Sequence, residues 1–301
     1  MNWEGMLPDG TWIPLGAPLS VRLVQEEEAP ADGLALALPF RRLPWLARVR
    51  GTRAGKPVFT GTVDEQEAQW SSSGAVVRLE ARGLAGLLMD SEALPQTYRN
   101  PSLPVLFARH GAPFGLKGWR GPEAAVQGEF PVGKGVSDWD VLAGFCREFL
   151  QTAPRVTPEG VFDAGGAPGG EIALGRGGAP CLEASRGLRR CALFGELYAP
   201  AGEGFAARFS SPLAARLGVV RRRVLAGEGD GAAVLRRAER EAREVRALCR
   251  GWLEASPGDR ARVDLPLLGG ACAGTVAAKT YRMDADGETT ALVVRIDEEG
   301  F

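Results

Sequence analysis

A single histidine limits the catalytic chemistry that this 301-residue chain can carry. His110 lies in the last turn of a predicted short helix, where a cation offsets the helix dipole. A Ser-His-Asp system would have to use His110, and no serine stands in a Gly-x-Ser-x-Gly setting. The sequence therefore assigns no catalytic residue, and we expect no enzymatic activity.

Glycine-rich and acidic loops are the next candidates, as sites for phosphate or metal ions. Loops 165–170 and 227–231 are the richest in glycine, but neither continues into the Gly-Lys-Ser/Thr of a phosphate loop. Residues 26–28 are three glutamates in a predicted solvated turn. The acidic residues within 284–288 have the spacing seen at the start of a calcium-binding loop. The segment lacks the twelve-residue frame of such a loop, and a hairpin turn explains it better. We predict no cofactor and no metal site.

The cysteines and the start of the chain indicate the compartment. The five cysteines are odd in number and include no Cys-x-x-Cys pair, so neither a disulfide framework nor a zinc knuckle fits, which favours a reducing environment. The chain begins without the basic start and apolar run of a secretory signal. No apolar run approaches the roughly 20 residues of a membrane helix. We expect a protein made in the cytosol without a membrane segment.

Charge argues against nucleic acid as a partner. Lys and Arg number 36 against 37 Asp and Glu, for a net charge of −1. The basic run 221–223 precedes a segment in which arginines alternate with Glu239, Glu241 and Glu244. Mixed signs on one helix describe a solvated, ion-paired face rather than a phosphate-binding one.

The elements that carry these residues are mostly short strands. Gly 41 and Pro 21 together make up about a fifth of the chain, which indicates many turns. Alternating apolar patterns predict strands in 19–81 and again in 181–296. Helical spacing predicts helices at 84–89, 102–111, 136–150 and about 232–252. The pattern predicts an α+β fold that is mainly β. Among the seven tryptophans, Trp139 and Trp252 are expected in the core, and others in loops could anchor interfaces.

Three short motifs occur in a fixed order along the first half of the chain. They are a Phe-x-Gly-x-Val strand, an Arg-Gly corner that runs into Leu and Asp, and a Pro-Phe-Gly segment after a short helix. Their residues are Phe59, Gly61, Val63, Arg82, Gly83, Leu87 or Leu88, Asp90, Pro113, Phe114 and Gly115. In this order the chain resembles the baseplate hub proteins of contractile-tailed phages, including the phage Mu hub and late control D-type tail proteins. The family more often places Gly before Arg at the corner.

The resemblance extends over about residues 19–296 and implies a specific architecture. Two tail-tube-like antiparallel β-barrels would occupy 1–95 and 181–301, with an α/β insert at 96–180 and the long helix 232–252 inserted in the second barrel. The protein would be a homotrimer that adapts a hexameric tail tube to a trimeric central spike. Type VI and other injection-system hubs share this design.

The resemblance also implies partners and a place. The partners would be other copies of the chain, the tube and spike proteins, other baseplate proteins and the tape measure, with no nucleic acid and no membrane insertion. The location would be the virion tail baseplate, assembled in the bacterial host cytoplasm. Two alternatives stay open at this point: a tail-associated cell-wall hydrolase, and a nucleic-acid-contacting module that uses residues 221–246.

Overall fold

A computed structural model describes residues 1–72, 74–166, 169–201, 204–226 and 230–297. Contacts divide the chain into two compact units. Unit 1 comprises Met1–Pro168 and Thr280–Thr289, and unit 2 comprises Gly169–Lys279 and Thr290–Phe301. The three-part division 1–95, 96–180 and 181–301 stays a prediction.

Unit 1 contains most of the strands in the first half of the chain. Its strands are β1 (Asn2–Met6), β2 (Trp12–Pro14), β3 (Ser20–Glu26), β4 (Gly33–Pro39), β5 (Arg48–Arg53), β6 (Lys56–Ser71), β7 (Gly74–Gly83), β8 (Gln96–Arg99), β9 (Gly118–Arg120), β10 (Glu129–Val132), β11 (Arg155–Val156) and β12 (Val161–Asp163). Its helices are α1 (Ala85–Met89), α2 (Leu103–His110) and α3 (Asp138–Phe145), with a 3-10 turn at Ala112–Phe114 and a π turn at Cys146–Leu150.

The main sheet of unit 1 is antiparallel and runs in the order β3-β4-β7-β6-β5-β1-β2. Strand β4 shows why it forms: Leu34, Leu36 and Leu38 alternate with alanines, so period two buries all three leucines on one face. A second core packs α1, α2 and α3 around large apolar side chains such as Leu106, Trp139 and Phe145. Strands β8 and β10 form a small antiparallel pair beside it.

The residues at the start of helix α3 explain where the helix begins. The Ser137 side chain accepts a hydrogen bond from the Asp140 backbone N–H at 3.0 Å, which satisfies a donor that the first helical turn leaves free. The predicted cap is therefore confirmed, although α-helical geometry ends at Phe145 and the π turn completes the segment.

Unit 2 is also mainly β. Its strands are β13 (Glu171–Gly175), β14 (Cys181–Leu188), β15 (Glu196–Ala201), β16 (Gly204–Ser210), β17 (Arg222–Val224), β18 (Arg243–Arg250), β19 (Arg260–Leu265), β20 (Gly270–Asp284) and β21 (Gly287–Ile296), and its helices are α4 (Pro212–Arg216) and α5 (Gly231–Ala242). The strands run in the order β14-β18-β21-β20-β19-β13, with β13 parallel to β19. A smaller sheet runs β16-β15-β17. The outer end of the β20–β21 hairpin belongs to unit 1.

The predicted long helix 232–252 is wrong in its second half. Helix α5 ends at Ala242, and 243–250 is a strand that pairs with β14. The segment fits both periods, because Val245, Leu248 and Cys249 share a helical face whereas Val245, Ala247 and Cys249 share a strand face. Seven register partners on β14 favour the strand. Within the described residues the fold is mainly β with few helices, and no sheet there closes into a barrel.

Candidate functional site

The Phe-x-Gly-x-Val motif contributes to packing between β6 and β7. Gly61 pairs with Gly83 across the two strands. A Cβ at Gly61 would lie 2.1 Å from the Arg82 carbonyl oxygen and 2.6 Å from the Phe59 ring. Because such distances are far inside van der Waals contact, only glycine fits, and the Phe59 ring occupies the space that a side chain would take. Phe59 itself is buried.

The Arg-Gly corner is an arginine held between two carboxylates. Arg82 Nε lies 2.7 Å from Asp64 Oδ2, and its Nη2 lies 2.6 Å from Asp90 Oδ2. Both pairs are bidentate, because Arg82 also donates from Nη2 to Asp64 Oδ1 at 3.3 Å and from Nη1 to Asp90 Oδ1 at 3.2 Å. The hydrogen bond from Arg82 lowers the pKa of Asp90, and the two carboxylates raise the pKa of Arg82. The cluster ties β6, β7 and the end of α1 together, and all three side chains are committed to one another.

The Pro-Phe-Gly motif forms a turn against strand β5. Gly115 ends the 3-10 turn in the left-handed region at φ +82, which favours glycine. The Arg48 guanidinium donates to the Phe114 carbonyl at 3.0 Å and occupies the space where a Gly115 Cβ would lie. All three motifs are thus explained by backbone geometry and packing rather than by reaction chemistry.

His110 lies at the centre of a buried hydrogen-bonded chain. Its Nδ1 is 2.6 Å from Asp138 Oδ1, and its Nε2 is 2.7 Å from the Tyr98 hydroxyl. The three residues are only 3%, 7% and 7% exposed, in that order. A neutral imidazole with its proton on Nδ1 satisfies both contacts, donating to the carboxylate and accepting from the phenol. The sequence correctly places His110 in the last turn of α2 but does not reveal either partner.

The order carboxylate, imidazole, hydroxyl is that of a nucleophilic triad, with tyrosine in place of serine. A nucleophile must reach its substrate, however, and here the hydroxyl is buried against His110 in the helical core. The network instead joins β8, the end of α2 and the first residue of α3. Its chemistry is that of a polar connection within a core, in which each group has its partner.

The loops considered as phosphate or metal sites form helix caps and turns in the residues that the structure describes. The Asp230 carboxylate accepts hydrogen bonds from the Ala232 and Ala233 amides as the cap of α5. Asp284 accepts from the Asp286 amide at 3.0 Å, so 284–288 is a hairpin turn, as predicted. Residues 167–168 and 227–229 of the two glycine loops lie outside the described residues. The described ranges contain no group of three side chains placed to hold a metal ion.

One arginine of α5 and one of β18 each pair with a glutamate. Arg237 pairs with Glu241 one turn along the helix at 2.7 Å, and Arg246 pairs with Glu244 at 2.7 Å. The pair on α5 agrees with the predicted ion-paired helix face, whereas Arg246 and Glu244 lie on strand β18. In the part of the chain that the structure describes, no helix is long and apolar enough to cross a membrane.

Unit 1 exposes three large aromatic side chains. Phe40, Trp45 and Trp70 are 54%, 74% and 85% exposed. Phe40 and Trp45 line a groove of about 430 Å³ together with Gln66 and Ala68 of β6. Trp70 lies on the same face of β6 as those two residues, because strand side chains alternate with period two. We call Phe40, Trp45 and Trp70 the aromatic surface.

The loop that carries Trp45 is held in place by one amide side chain. Gln66 Oε1 accepts from the Leu46 backbone N–H at 3.0 Å, and Gln66 Nε2 donates to the carbonyl oxygens of Pro44 at 3.0 Å and Leu43 at 3.4 Å. Arg41 donates to the Pro14 carbonyl at 2.8 Å on the other side of the loop. Exposed aromatic rings and arginines on a pre-ordered loop are the composition of an interface centre. Tryptophans in loops are predicted as interface anchors; Trp45 is an exposed tryptophan of this kind, whereas the exposed Trp70 lies on strand β6.

Comparison with known proteins shows the fold. No protein-family model and no curated protein sequence matches the chain. The structure is similar to a tail protein from Neisseria meningitidis MC58, with a TM-score of 0.75, 17% identity, and coverage of 99% of this chain and 97% of that one. The 43 kDa tail protein of prophage MuSo2 from Shewanella oneidensis gives a TM-score of 0.77 and 14% identity, with 97% of each chain covered.

A third similar structure comes from a secretion system. The E. coli c3393 protein, a type VI secretion component, gives a TM-score of 0.56 and 12% identity, and the match covers 94% of this chain and 74% of that one. At such identities the likeness establishes the fold. The chain has the fold of phage tail proteins, and its structural neighbours include type VI secretion proteins.

Proposed function

We propose that this protein is a structural hub of a phage tail baseplate or a related injection machine. Its role would be that of a homotrimeric adaptor between a hexameric tail tube and a trimeric central spike. The observation that carries the proposal is the end-to-end match with two tail proteins, which leaves almost no part of either chain unmatched. Because proteins of one fold can have different functions, the proposal also depends on the residues that this protein exposes on its surface.

The trimer would solve a symmetry problem. Segments 1–95 and 181–301 are proposed as two tube-type domains joined through the insert 96–180. Three subunits would then present six such domains to a hexameric tube while keeping threefold symmetry for the spike. Contacts with other baseplate proteins and the tape measure, and assembly in the host cytoplasm before incorporation in the virion, belong to the same proposal.

The aromatic surface is proposed as the contact with a neighbouring copy of the chain. Trp and Arg side chains are enriched at the centres of interfaces, where they lose water on binding. Gln66 already holds the loop in place, so little conformational entropy remains to be lost on association. The net charge of −1 also means that copies do not repel one another strongly.

Oligomeric state tests this proposal directly. We expect light scattering after size exclusion, and negative-stain micrographs, to show a threefold ring at high protein concentration or on addition of the spike protein. The variant Phe40→Ala/Trp45→Ala should lower assembly at least tenfold. Leu267→Ala is the matched control, because Leu267 is 98% exposed but lies in unit 2.

Two results would contradict the proposal. A strict monomer that binds neither tube nor spike protein would remove the adaptor role. Equal assembly by the aromatic-surface variant and the Leu267→Ala control would leave the adaptor role intact but exclude this surface. Release of fragments from purified peptidoglycan would instead support the hydrolase alternative.

A further inference from the structure

Two cysteines of unit 2 face each other across neighbouring strands. Cys181 is the first residue of β14 and pairs in register with Cys249 of β18. Their sulfur atoms are 3.8 Å apart. Directly opposed residues of antiparallel strands have Cα atoms about 4.5–5.5 Å apart, which is within the span of a disulfide. A disulfide needs the sulfurs to approach by about 1.8 Å more, which side-chain rotation can provide.

The pair differs from the other cysteines in position. Cys249 is buried in the unit 2 core, whereas Cys181 lies at its margin and is partly exposed. The register of β14 shifts just after Cys181, so Leu182 has no partner on β18 and the strand is irregular at this point. An irregular strand end gives a small oxidant access to Cys181 and allows the rotation that bond formation needs.

We propose that Cys181 and Cys249 form a cross-strand disulfide when the protein meets a small-molecule disulfide in an oxidising medium. The Cys181 thiolate attacks the oxidant RSSR, forming a mixed disulfide and releasing one RSH after protonation. Cys249 then loses its proton and attacks Cys181 Sγ, displacing the second RSH. Two protein thiols are oxidised, and one oxidant disulfide is reduced to two thiols. The inference concerns this chain alone and does not depend on the proposed function.

The buried position of Cys249 makes disulfide closure depend on pH. Burial, followed by the neighbouring Cys181 sulfur, raises the pKa of Cys249 to about 12. Because only the thiolate attacks, closure of the disulfide by Cys249 should become faster as the pH rises from 7 to 9.

The bond would join residues 68 positions apart in the sequence. A cross-link over a loop of this length restricts the unfolded chain, and native disulfides typically raise the melting temperature by roughly 5–15 °C in domains of this size. The bond would hold β14 on β18 even when neighbouring strands open.

The experiment treats the full chain with oxidised glutathione, in parallel with a reduced sample. Non-reducing peptide mass spectrometry should show a Cys181–Cys249 cross-linked peptide with the loss of two hydrogens, and the melting temperature should rise. Cys181→Ser and Cys249→Ser should each abolish both changes. Cys191→Ser is the control, because Cys191 is exposed and should only form a glutathione adduct.

Several outcomes would overturn the proposal. A stable glutathione adduct at Cys181 with no cross-link at pH 9 would show that Cys249 cannot reach it. Cross-linking to another cysteine, or an oxidised protein that melts at the temperature of the reduced one, would also contradict it. Circular dichroism of both serine variants confirms that a lost cross-link does not reflect a lost fold.

Discussion

Gly61→Ala should destabilise unit 1, because this position leaves no room for a methyl group. The added Cβ would lie 2.1 Å from the Arg82 carbonyl oxygen, which is 0.9 Å short of the 3.0 Å that real Cβ contacts keep. The obstacle is backbone rather than a flexible side chain, so β6 and β7 must part locally. The Phe59 ring at 2.6 Å must move as well.

The expected cost follows from the size of that displacement. Forcing one extra carbon into a well-packed site typically costs about 1–3 kcal/mol in the free energy of unfolding. At about 2–4 °C per kcal/mol for a protein of this size, the melting temperature should fall by roughly 2–12 °C. The midpoint of urea unfolding should fall with it, with little change in slope.

Gly33→Ala is the matched control. Gly33 lies on β4 of the same sheet, pairs with Arg82, and has no atom within 4 Å of the position that a Cβ would take. Since its backbone is also free of positive φ, alanine there should be neutral or slightly stabilising. If Gly61→Ala and Gly33→Ala melt at the same temperature, the explanation of the Phe-x-Gly-x-Val motif by packing is wrong.

Three further predictions concern the polar contacts. His110→Ala leaves its aspartate partner buried without a hydrogen bond and should cost about 1–3 kcal/mol, measured by urea unfolding; an unchanged midpoint would contradict the core role. Arg82 lowers the folded-state pKa of Asp90, so its contribution is present above the ordinary carboxyl pKa and is lost as pH falls through the lowered value. The stability gap between wild type and Arg82→Met should therefore stay constant from pH 7 down to the ordinary carboxyl pKa and narrow below it, and a gap that stays constant in acid would refute the pairing. Gln66→Ala should speed exchange of the Leu46 amide roughly 5–150-fold in hydrogen-exchange NMR, whereas unchanged protection would show that the loop is held otherwise.

Local sequence patterns predict the strands of this chain well where the spacing of the apolar residues fits a strand but not a helix. The alternation of leucine and alanine in β4, and the Asp-Gly turn between β20 and β21, lead directly to the observed elements. The segment 243–250 could not be assigned in this way, because its apolar residues satisfy both periods and the choice depends on β14, some sixty residues away. Such non-local pairing is not visible in a local window.

Among the candidate site residues, too, the sequence predicts local features but not contacts between distant residues. The cap at Ser137 is local and was predictable, as was the burial of Trp139. Trp252 is half-buried rather than fully so, with Lys279 Nζ 3.5 Å above its ring. Contacts between distant residues, such as Asp138 with His110, or Cys181 with Cys249, depend on the fold and leave no spacing signal.

The hairpin end at Thr280–Thr289 has a consequence for synthesis, since it belongs to unit 1 but is made after residues 169–279 of unit 2. Arg53 and Glu288 form a 3.0 Å ion pair although 235 positions separate them. At about 5–20 residues per second, the ribosome needs roughly 6–24 s after Pro168 to deliver this hairpin. During that interval β3 lacks β20, the strand with which it pairs in the complete sheet. Unit 1 is therefore completed only after residues 169–279 of unit 2 have been made, and this edge of β3 stays open to pairing with other chains until then.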